Sequence, residues 1–163
     1  MSRDAVFILL LGGVYIGIML AWKRFRMHQI KRWWTAGHEA LANGNAEVAV
    51  AAFRKCLRIW PAAPNFHEAL GTALSRLGKL DEAEKSLKMA VDLEPSRAQS
   101  HLNMALFYAF AVPGREREAV AAFERVRELD PALAKDALAQ EHIAARMDDA
   151  ARRCGATLPD AAG

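Results

Sequence analysis

The sequence has little of what most small enzymes and metal sites need. It contains only two cysteines, Cys56 and Cys154, and they match neither a disulfide framework nor the spacing of a zinc site. It has no serine–histidine–acid set, no phosphate-binding loop and no cysteine flanked as a nucleophile. β-Branched runs that could form strands are scarce, whereas alanine, leucine, glutamate and arginine, which favour helices, are abundant. We therefore expect an all-α protein that is not an enzyme and that holds no cofactor and no metal.

The chain also has little net charge. The formal net charge is +3 over 163 residues, which is too small to indicate a nucleic-acid partner. Much of this excess lies in one cluster that follows the first apolar segment: Lys23, Arg24, Arg26, Lys31 and Arg32. The position of the cluster therefore calls for a local explanation.

The longest apolar run lies near the N-terminus. Residues 5–22 carry no charge, and as a helix they would be about 27 Å long, close to the roughly 30 Å of a bilayer core. A cleaved signal peptide is disfavoured, because no Ala-x-Ala site is present and the run ends directly in Lys23 and Arg24. The sequence predicts a short N-terminus at 1–4, a single transmembrane helix at 5–22 and a basic juxtamembrane segment at 23–29.

The basic cluster predicts the orientation of this helix. Lysine and arginine are more frequent after the run than before it, so the positive-inside rule places the C-terminal part in the cytoplasm. The alanine- and arginine-rich composition favours a bacterial inner membrane. We also expect contacts with anionic lipid headgroups from Arg26, Lys31 and Arg32. Small residues recur every fourth position within the run, which predicts a helix–helix partner in the bilayer: these are Gly13, Gly17 and Ala21.

A repeated pattern occupies the middle of the chain. Three segments end in Pro61, Pro95 and Pro131, which are 34 and 36 residues apart. The same kinds of residue recur twelve, eight and five positions before each proline: Ala49, Ala83 and Ala119, then Phe53, Leu87 and Phe123, then Cys56, Ala90 and Val126. Small residues stand where two helices must lie close together, at Gly37, Gly71 and Ala105. Helix breakers at 43–45, 77–79 and 113–115 divide each unit into two amphipathic helices.

This pattern resembles the tetratricopeptide repeat (TPR) family over about residues 30–131. The first unit carries Trp33 and Gly37 at family positions, and residues 77–83 of the second unit are close to the family's turn between helices. The third unit departs from the pattern, because residues 112–114 lengthen its turn by two residues.

The resemblance implies an α-solenoid built from three helix pairs. The expected units are 30–63, 64–97 and 98–131, followed by a capping helix at 132–153 and a flexible tail at 154–163. A cap is needed because a single helical hairpin cannot bury its apolar face, and the last unit has no neighbour to cover it.

The resemblance also implies where a partner would bind. In TPR arrays the first helix of each unit lines a concave groove that suits an extended or helical peptide. The implied groove residues are Trp34, His38, Leu41, Asn65, Glu68, Thr72, Ser75, Arg76, Gln99, Leu102 and Leu106. Chaperone-binding members carry a clamp of lysines, arginines and asparagines for a C-terminal carboxylate. Here Trp34, Glu68 and Ala69 stand at clamp-related positions, so recruitment of major chaperones through their tails is not expected.

The sequence therefore predicts a membrane-tethered adaptor that binds proteins or peptides in its groove and recruits or assembles complexes at the membrane. Three alternatives remain open: a periplasmic assembly factor like the TPR proteins of cytochrome c maturation, which requires the opposite orientation, a structural subunit held by its membrane helix, and an organellar receptor that binds targeting peptides. His67 and His101 occupy equivalent positions in successive units, and we interpret them as part of the repeat packing rather than as metal ligands.

Overall fold

The computed structural model describes the backbone of residues 3–156 and the side chains of residues 12–156, and it contains eight α-helices over that range. They are α1 (Arg3–Ala42), α2 (Ala46–Ile59), α3 (Pro64–Arg76), α4 (Leu80–Leu93), α5 (Ala98–Ala111), α6 (Glu116–Leu129), α7 (Pro131–Leu138) and α8 (Glu141–Cys154). The first six helices form three consecutive pairs, in which α1 packs on α2, α3 on α4 and α5 on α6. The all-α solenoid of helix pairs is therefore confirmed.

The repeated apolar positions form the core of this solenoid. The nine residues found twelve, eight and five positions before the three prolines are each at most 1% exposed. Because these positions lie four and three residues apart, they fall on one face of the second helix of each pair. This face packs against the first helix of the same pair, so each repeat contributes the same stripe to a continuous core.

Two glycines allow the helices of a pair to approach closely. A Cβ atom added at Gly37 would lie 2.4 Å from the ring of Phe53, and one added at Gly71 would lie 2.7 Å from Cγ of Leu87. Ala105, at the equivalent place in the third pair, is fully buried. The small residues predicted at helix crossings therefore have a steric reason.

The turns within the pairs follow the predicted breakers. Gly44 and Gly78 have φ angles of 74° and 72°, which side chains rarely tolerate. In the first turn the side chain of Asn45 also caps α2, because its Oδ1 accepts a hydrogen bond from the backbone of Val48 at 3.3 Å. The local sequence thus fixes where the first helix of a pair ends and where the second begins.

The first helix is much longer than a repeat requires. It continues without a break from Arg3 to Ala42. Nine large apolar side chains between Val14 and Met27 are exposed. From Ile30 onward the helix becomes part of the repeat core, where Ile30 packs with Cys56 and Phe66.

The predicted transmembrane helix is corrected by the structure. No helix is long and apolar enough to cross a membrane within the residues that the structure describes. The side chains of residues 5–11 lie outside the described part. The fold class is therefore the solenoid without the predicted span, and the single-pass membrane localisation derived from that span was wrong.

The predicted single capping helix is also corrected, because the cap consists of two helices. The chain turns at Ala139 and Gln140, and α8 then packs on α5, α6 and α7. This turn lets Ile143 and Met147 of α8 join the same core as Ala134 and Ala137 of α7. Of the predicted tail at 154–163, residues 157–163 lie outside the described part of the chain.

Candidate functional site

A groove runs across the first helices of the three pairs. Its middle is an open pocket of about 440 Å³, here called the polar pocket, to which α1, α3, α5 and the loop before α5 contribute. The structure brings seven of the predicted groove residues together in its lining: Trp34, His38, Leu41, Asn65, Glu68, Thr72 and Arg76. Four further residues complete it: Ala42, Ala69, Arg97 and Asn103.

A second pocket adjoins the first at the N-terminal end of the groove. This apolar pocket has a volume of about 590 Å³ and lies between α1 and the α2–α3 corner. Its lining is Met27, Ile30, Lys31, Trp34, Trp60, Ala62, Ala63, Pro64, Asn65 and Phe66. Because Trp34 and Asn65 line both pockets, the two are parts of one groove.

Trp34 forms the boundary between the two pockets. Its ring lies 4.2 Å from that of His38, 5.6 Å from that of Phe53 and 5.3 Å from that of Phe66, measured between centroids. The side chain is half-buried, so one part is held by the core while another part faces the groove. A rigid aromatic surface of this kind is typical of the anchor points of protein interfaces.

Glu68 is the most deeply buried charge in the polar pocket, with an exposure of 6%. Its Oε1 accepts hydrogen bonds from Nε of Arg97 at 2.9 Å and from the hydroxyl of Ser100 at 2.6 Å. A buried carboxylate needs such partners because its desolvation is costly. The floor of the pocket is thereby neutralised, and the second helix pair is tied to the third.

Arg76 and Thr72 lie on the α3 side of the polar pocket. Arg76 donates a hydrogen bond from Nη1 to the carbonyl oxygen of Leu41 at 2.9 Å, and its side chain is exposed. The hydroxyl of Thr72 donates to the carbonyl oxygen of Glu68 at 3.0 Å. Arg76 therefore keeps donors that point to solvent, whereas the hydroxyl proton of Thr72 is used within α3.

Four predicted groove residues do not line either pocket. Leu102 is buried and Leu106 packs against the core, so both serve mainly the α5 packing. Gln99 donates from its side-chain amide to Oδ1 of Asn103 at 3.2 Å, and Ser75 is half-buried outside the pockets.

Several lining residues were missed by the sequence reasoning. Asn103 follows Gln99 by one helical turn, and this spacing could have identified it. Arg97 and Trp60 lie in the loops between pairs, and no periodic signal marks loop residues.

The basic residues predicted to bind lipid have other contacts in the structure. Arg26 donates from Nη2 to the carbonyl oxygen of Ile59, Lys31 lines the apolar pocket, and the guanidinium of Arg32 lies 5.4 Å from the ring centroid of Trp33. The lipid role of these residues stays a prediction. Helix packing through Gly13, Gly17 and Ala21 also stays a prediction. A Cβ added at either glycine would meet no described atom within 4 Å, so this face of α1 has no described neighbour at the glycines.

The two equivalent histidines make the same contact in successive units. Nε2 of His67 lies 2.8 Å from the carbonyl oxygen of Pro61, and Nε2 of His101 lies 3.0 Å from that of Pro95. Each ring therefore connects the start of a helix pair to the end of the preceding one.

A polar network on the other side of the helix pairs joins the second unit to the third. The buried phenol of Tyr108 donates to Oε1 of Glu84 at 2.8 Å, and Lys88 and Arg115 lie 2.6 Å and 3.4 Å from the same oxygen. Burial and the hydrogen bond to Glu84 raise the pKa of Tyr108 to about 12. The hydrogen bonds from Lys88 and Tyr108 lower the pKa of Glu84. This network stabilises the contact between repeats and lies outside the groove.

Comparison with known proteins identifies the repeat. A family model described as "Tetratricopeptide repeat" matches residues 40–106. The chain is 25% identical over 112 residues to the small glutamine-rich tetratricopeptide repeat-containing protein 2 of Saccharomyces cerevisiae, covering 68% of this chain and 31% of that protein. It is 31% identical over 97 residues to the protein of the same name from Mycosarcoma maydis, covering 58% and 26%. The chain thus spans less than a third of the length of these curated relatives.

Solved structures show the same fold. The first TPR domain of Spaghetti (RPAP3), bound to the HSP90 peptide SRMEEVD, matches with a TM-score of 0.65 and 20% identity over 79% of this chain and 95% of that one. The TPR2B domain of yeast Sti1, in a complex with pHsp70, matches with a TM-score of 0.66 and 17% identity over 77% and 98%. Since the repeat spacing, the fold and the family match over residues 40–106 all agree, the chain contains tetratricopeptide repeats.

Proposed function

We propose that this protein is a TPR adaptor that binds a peptide segment of a partner protein in the groove formed by α1, α3 and α5. The observation that carries the proposal is the pair of adjoining pockets along this face, one apolar and one polar, which share Trp34 and Asn65. Both volumes lie in the range of about 300–1,000 Å³ that is usual for ligand sites. An apolar pocket gives affinity, while a few placed polar groups next to it orient a ligand.

The structural neighbours support the proposal that this protein binds peptides. The Spaghetti domain carries an HSP90 peptide and the Sti1 domain is in a complex with pHsp70. At identities of 20% and 17%, these matches indicate a shared fold but not a shared ligand. The chaperone clamp is one point of difference, because Trp34, Glu68 and Ala69 stand at the clamp-related positions. We therefore propose a partner other than the tail of a major chaperone.

The alternatives drawn from the sequence have less support. A periplasmic assembly factor and a structural subunit were both argued from the predicted membrane span, which the described residues do not contain. The groove does not depend on that span, since its lining begins at Met27.

Site-specific crosslinking tests the proposal. A photoreactive amino acid replaces Thr72, which lines the polar pocket, and a control variant carries it at Met89, an exposed position on α4 that lines neither pocket. We expect one discrete adduct from Thr72 that is missing from Met89. The crosslinked segment of the partner is then synthesised and titrated against the purified chain.

The expected result is saturable binding of the synthetic segment to the wild-type chain and weaker binding to the Arg76→Gln variant. Equal adducts from both positions, or a synthetic segment that does not bind, would count against the groove as the binding site.

A further inference from the structure

We infer that the groove selects linear peptide segments that carry one large apolar side chain and, about five residues away, a carboxylate. This inference rests on the proposed function, because it names the ligand chemistry of the same groove. The apolar side chain would occupy the apolar pocket, and the carboxylate would reach the polar pocket at Arg76.

The apolar pocket is suited to a single large side chain. Its lining includes Met27, Ile30 and Trp34 from α1, and Trp60 and Phe66 from the α2–α3 corner. Phe66 and Ile30 are buried and fixed by the core, whereas Trp60 is 52% exposed at the end of α2. A ligand side chain that enters the pocket would remove the faces of Trp60 and Met27 from water, and this burial of apolar surface favours binding.

The charges around the polar pocket favour an acidic ligand. Glu68 alone carries a carboxylate among the described residues of its lining, and Arg97 and Ser100 already occupy Oε1 of that group. Among the residues that the structure describes, no carboxylate lies within salt-bridge distance of Arg76, and its Nη1 donates a hydrogen bond to the carbonyl oxygen of Leu41. The cationic charge of Arg76 is therefore uncompensated, and a guanidinium binds a carboxylate through two parallel hydrogen bonds.

The geometry of α1 sets the distance between the two features of the ligand. Lys31 lines the apolar pocket, and Leu41, whose carbonyl oxygen accepts the hydrogen bond from Arg76, lies ten residues further along α1. At about 1.5 Å per residue this separation is about 15 Å. An extended peptide covers about 3.3 Å per residue, so about five residues separate the apolar side chain from the carboxylate, in either chain direction.

The test is a selection from a displayed library of random linear peptides against the full chain. We expect enriched peptides to combine a large apolar residue with Asp or Glu about five positions away. In a synthetic copy of an enriched peptide, replacement of the apolar residue by Ala should weaken binding about tenfold or more, as is usual for an anchor residue. Replacement of the acid by its amide should weaken binding several-fold at low salt and less at high salt.

Two variants with matched controls connect the ligand to the pockets. Trp60→Ala should weaken binding of the peptide about tenfold, whereas Met89→Ala, at a similarly exposed apolar side chain on α4, should not. Arg76→Gln should weaken binding of the acidic peptide but not of its amide version, and Arg117→Gln, at an exposed arginine on α6, should weaken neither. Circular dichroism of each variant separates a binding defect from a folding defect.

The outcomes distinguish this inference from the proposed function. Enriched peptides that lack an acid, that are basic, or that bind equally well to Arg76→Gln would overturn the inferred ligand chemistry while leaving a peptide-binding groove. A selection that enriches no peptide would overturn both.

Discussion

The carboxylate of Glu68 accepts a hydrogen bond from Nε of Arg97 at 2.9 Å, across the boundary between the second and third helix pairs. This contact between Glu68 and Arg97 has two consequences. It holds the loop before α5 against α3, and it cancels the only carboxylate charge among the described residues that line the polar pocket. The stability of the array and the sign of the charge in its groove therefore depend on the same contact.

We expect Glu68→Gln to lower the free energy of unfolding by about 2 kcal/mol, because a buried hydrogen bond to a charged group contributes about 1.5–3 kcal/mol. Urea titration monitored by circular dichroism measures this change. The matched control is Glu128→Gln, which removes an exposed ion pair with Arg125 and should cost no more than about 1 kcal/mol. Equal changes in the free energy of unfolding would show that the Glu68 contact contributes no more than an exposed ion pair.

The close approach of α3 and α4 predicts that alanine at Gly71 lowers the stability of the fold, whereas alanine at Gly17 does not. Gly71→Ala places a Cβ atom 2.7 Å from Leu87 and 3.2 Å from the carbonyl oxygen of Ala83, so we expect a loss of about 1–3 kcal/mol from overpacking. Gly17→Ala is the control, since its Cβ would meet no described atom within 4 Å and alanine favours the helix by about 0.5–1 kcal/mol. Thermal unfolding of both variants gives the comparison, and a neutral Gly71→Ala would mean that the helices can move apart freely.

Tyr108 predicts how stability changes at high pH. Its pKa rises from 10.0 to about 12 in the folded chain, so between these values the folded state retains a proton that the unfolded state loses. Stability that is present below about pH 10 should therefore fall as pH rises toward 12. In Tyr108→Phe this part of the decline should be absent. Urea midpoints measured at several alkaline pH values test this, and parallel declines in both proteins would assign the decline to other groups.

The two cysteines should differ in reactivity. Cys56 is fully buried, its thiol lies 3.7 Å from the carbonyl oxygen of Ile30, and burial raises its pKa. Cys154 is only half-buried near the end of α8. Because the thiolate is the reactive form, we expect iodoacetamide to label Cys154 in the native chain and to label Cys56 only when the first helix pair opens. Mass spectrometry of the labelled peptides gives both rates, and similar rates would contradict a closed core around Cys56.

The repeat core could be predicted from the sequence because each of its positions obeys a simple rule. Phe53, Leu87 and Phe123 recur at a fixed distance from a proline, and all three are at most 1% exposed. Burial in a solenoid repeats with the sequence period, so the period alone is enough to locate these residues. The groove was predicted only in part, because Leu102 and Leu106 share the α5 face with groove residues but serve the packing instead.

The features that were not predicted have no periodic signal. The turn at Ala139 and Gln140 contains neither glycine nor proline, so the two-helix cap follows from packing on α5 and α6 rather than from a local breaker. Residues 5–22 were interpreted as a membrane span because the run is long, carries no charge and is followed by a basic cluster. The described residues contain no helix that is long and apolar enough for a span.

Binding of a peptide in the groove is tested most directly by NMR of the isotope-labelled chain, titrated with the segment that is crosslinked at Thr72. If the groove is the binding site, the amide signals that change should belong to lining residues on α1, α3 and α5, such as His38, Thr72 and Asn103. Signals of α2, α4 and α6 that lie away from the pockets should stay in place. Changes confined to α2, α4 and α6 would show that the partner binds another face of the solenoid, and would contradict the proposed function.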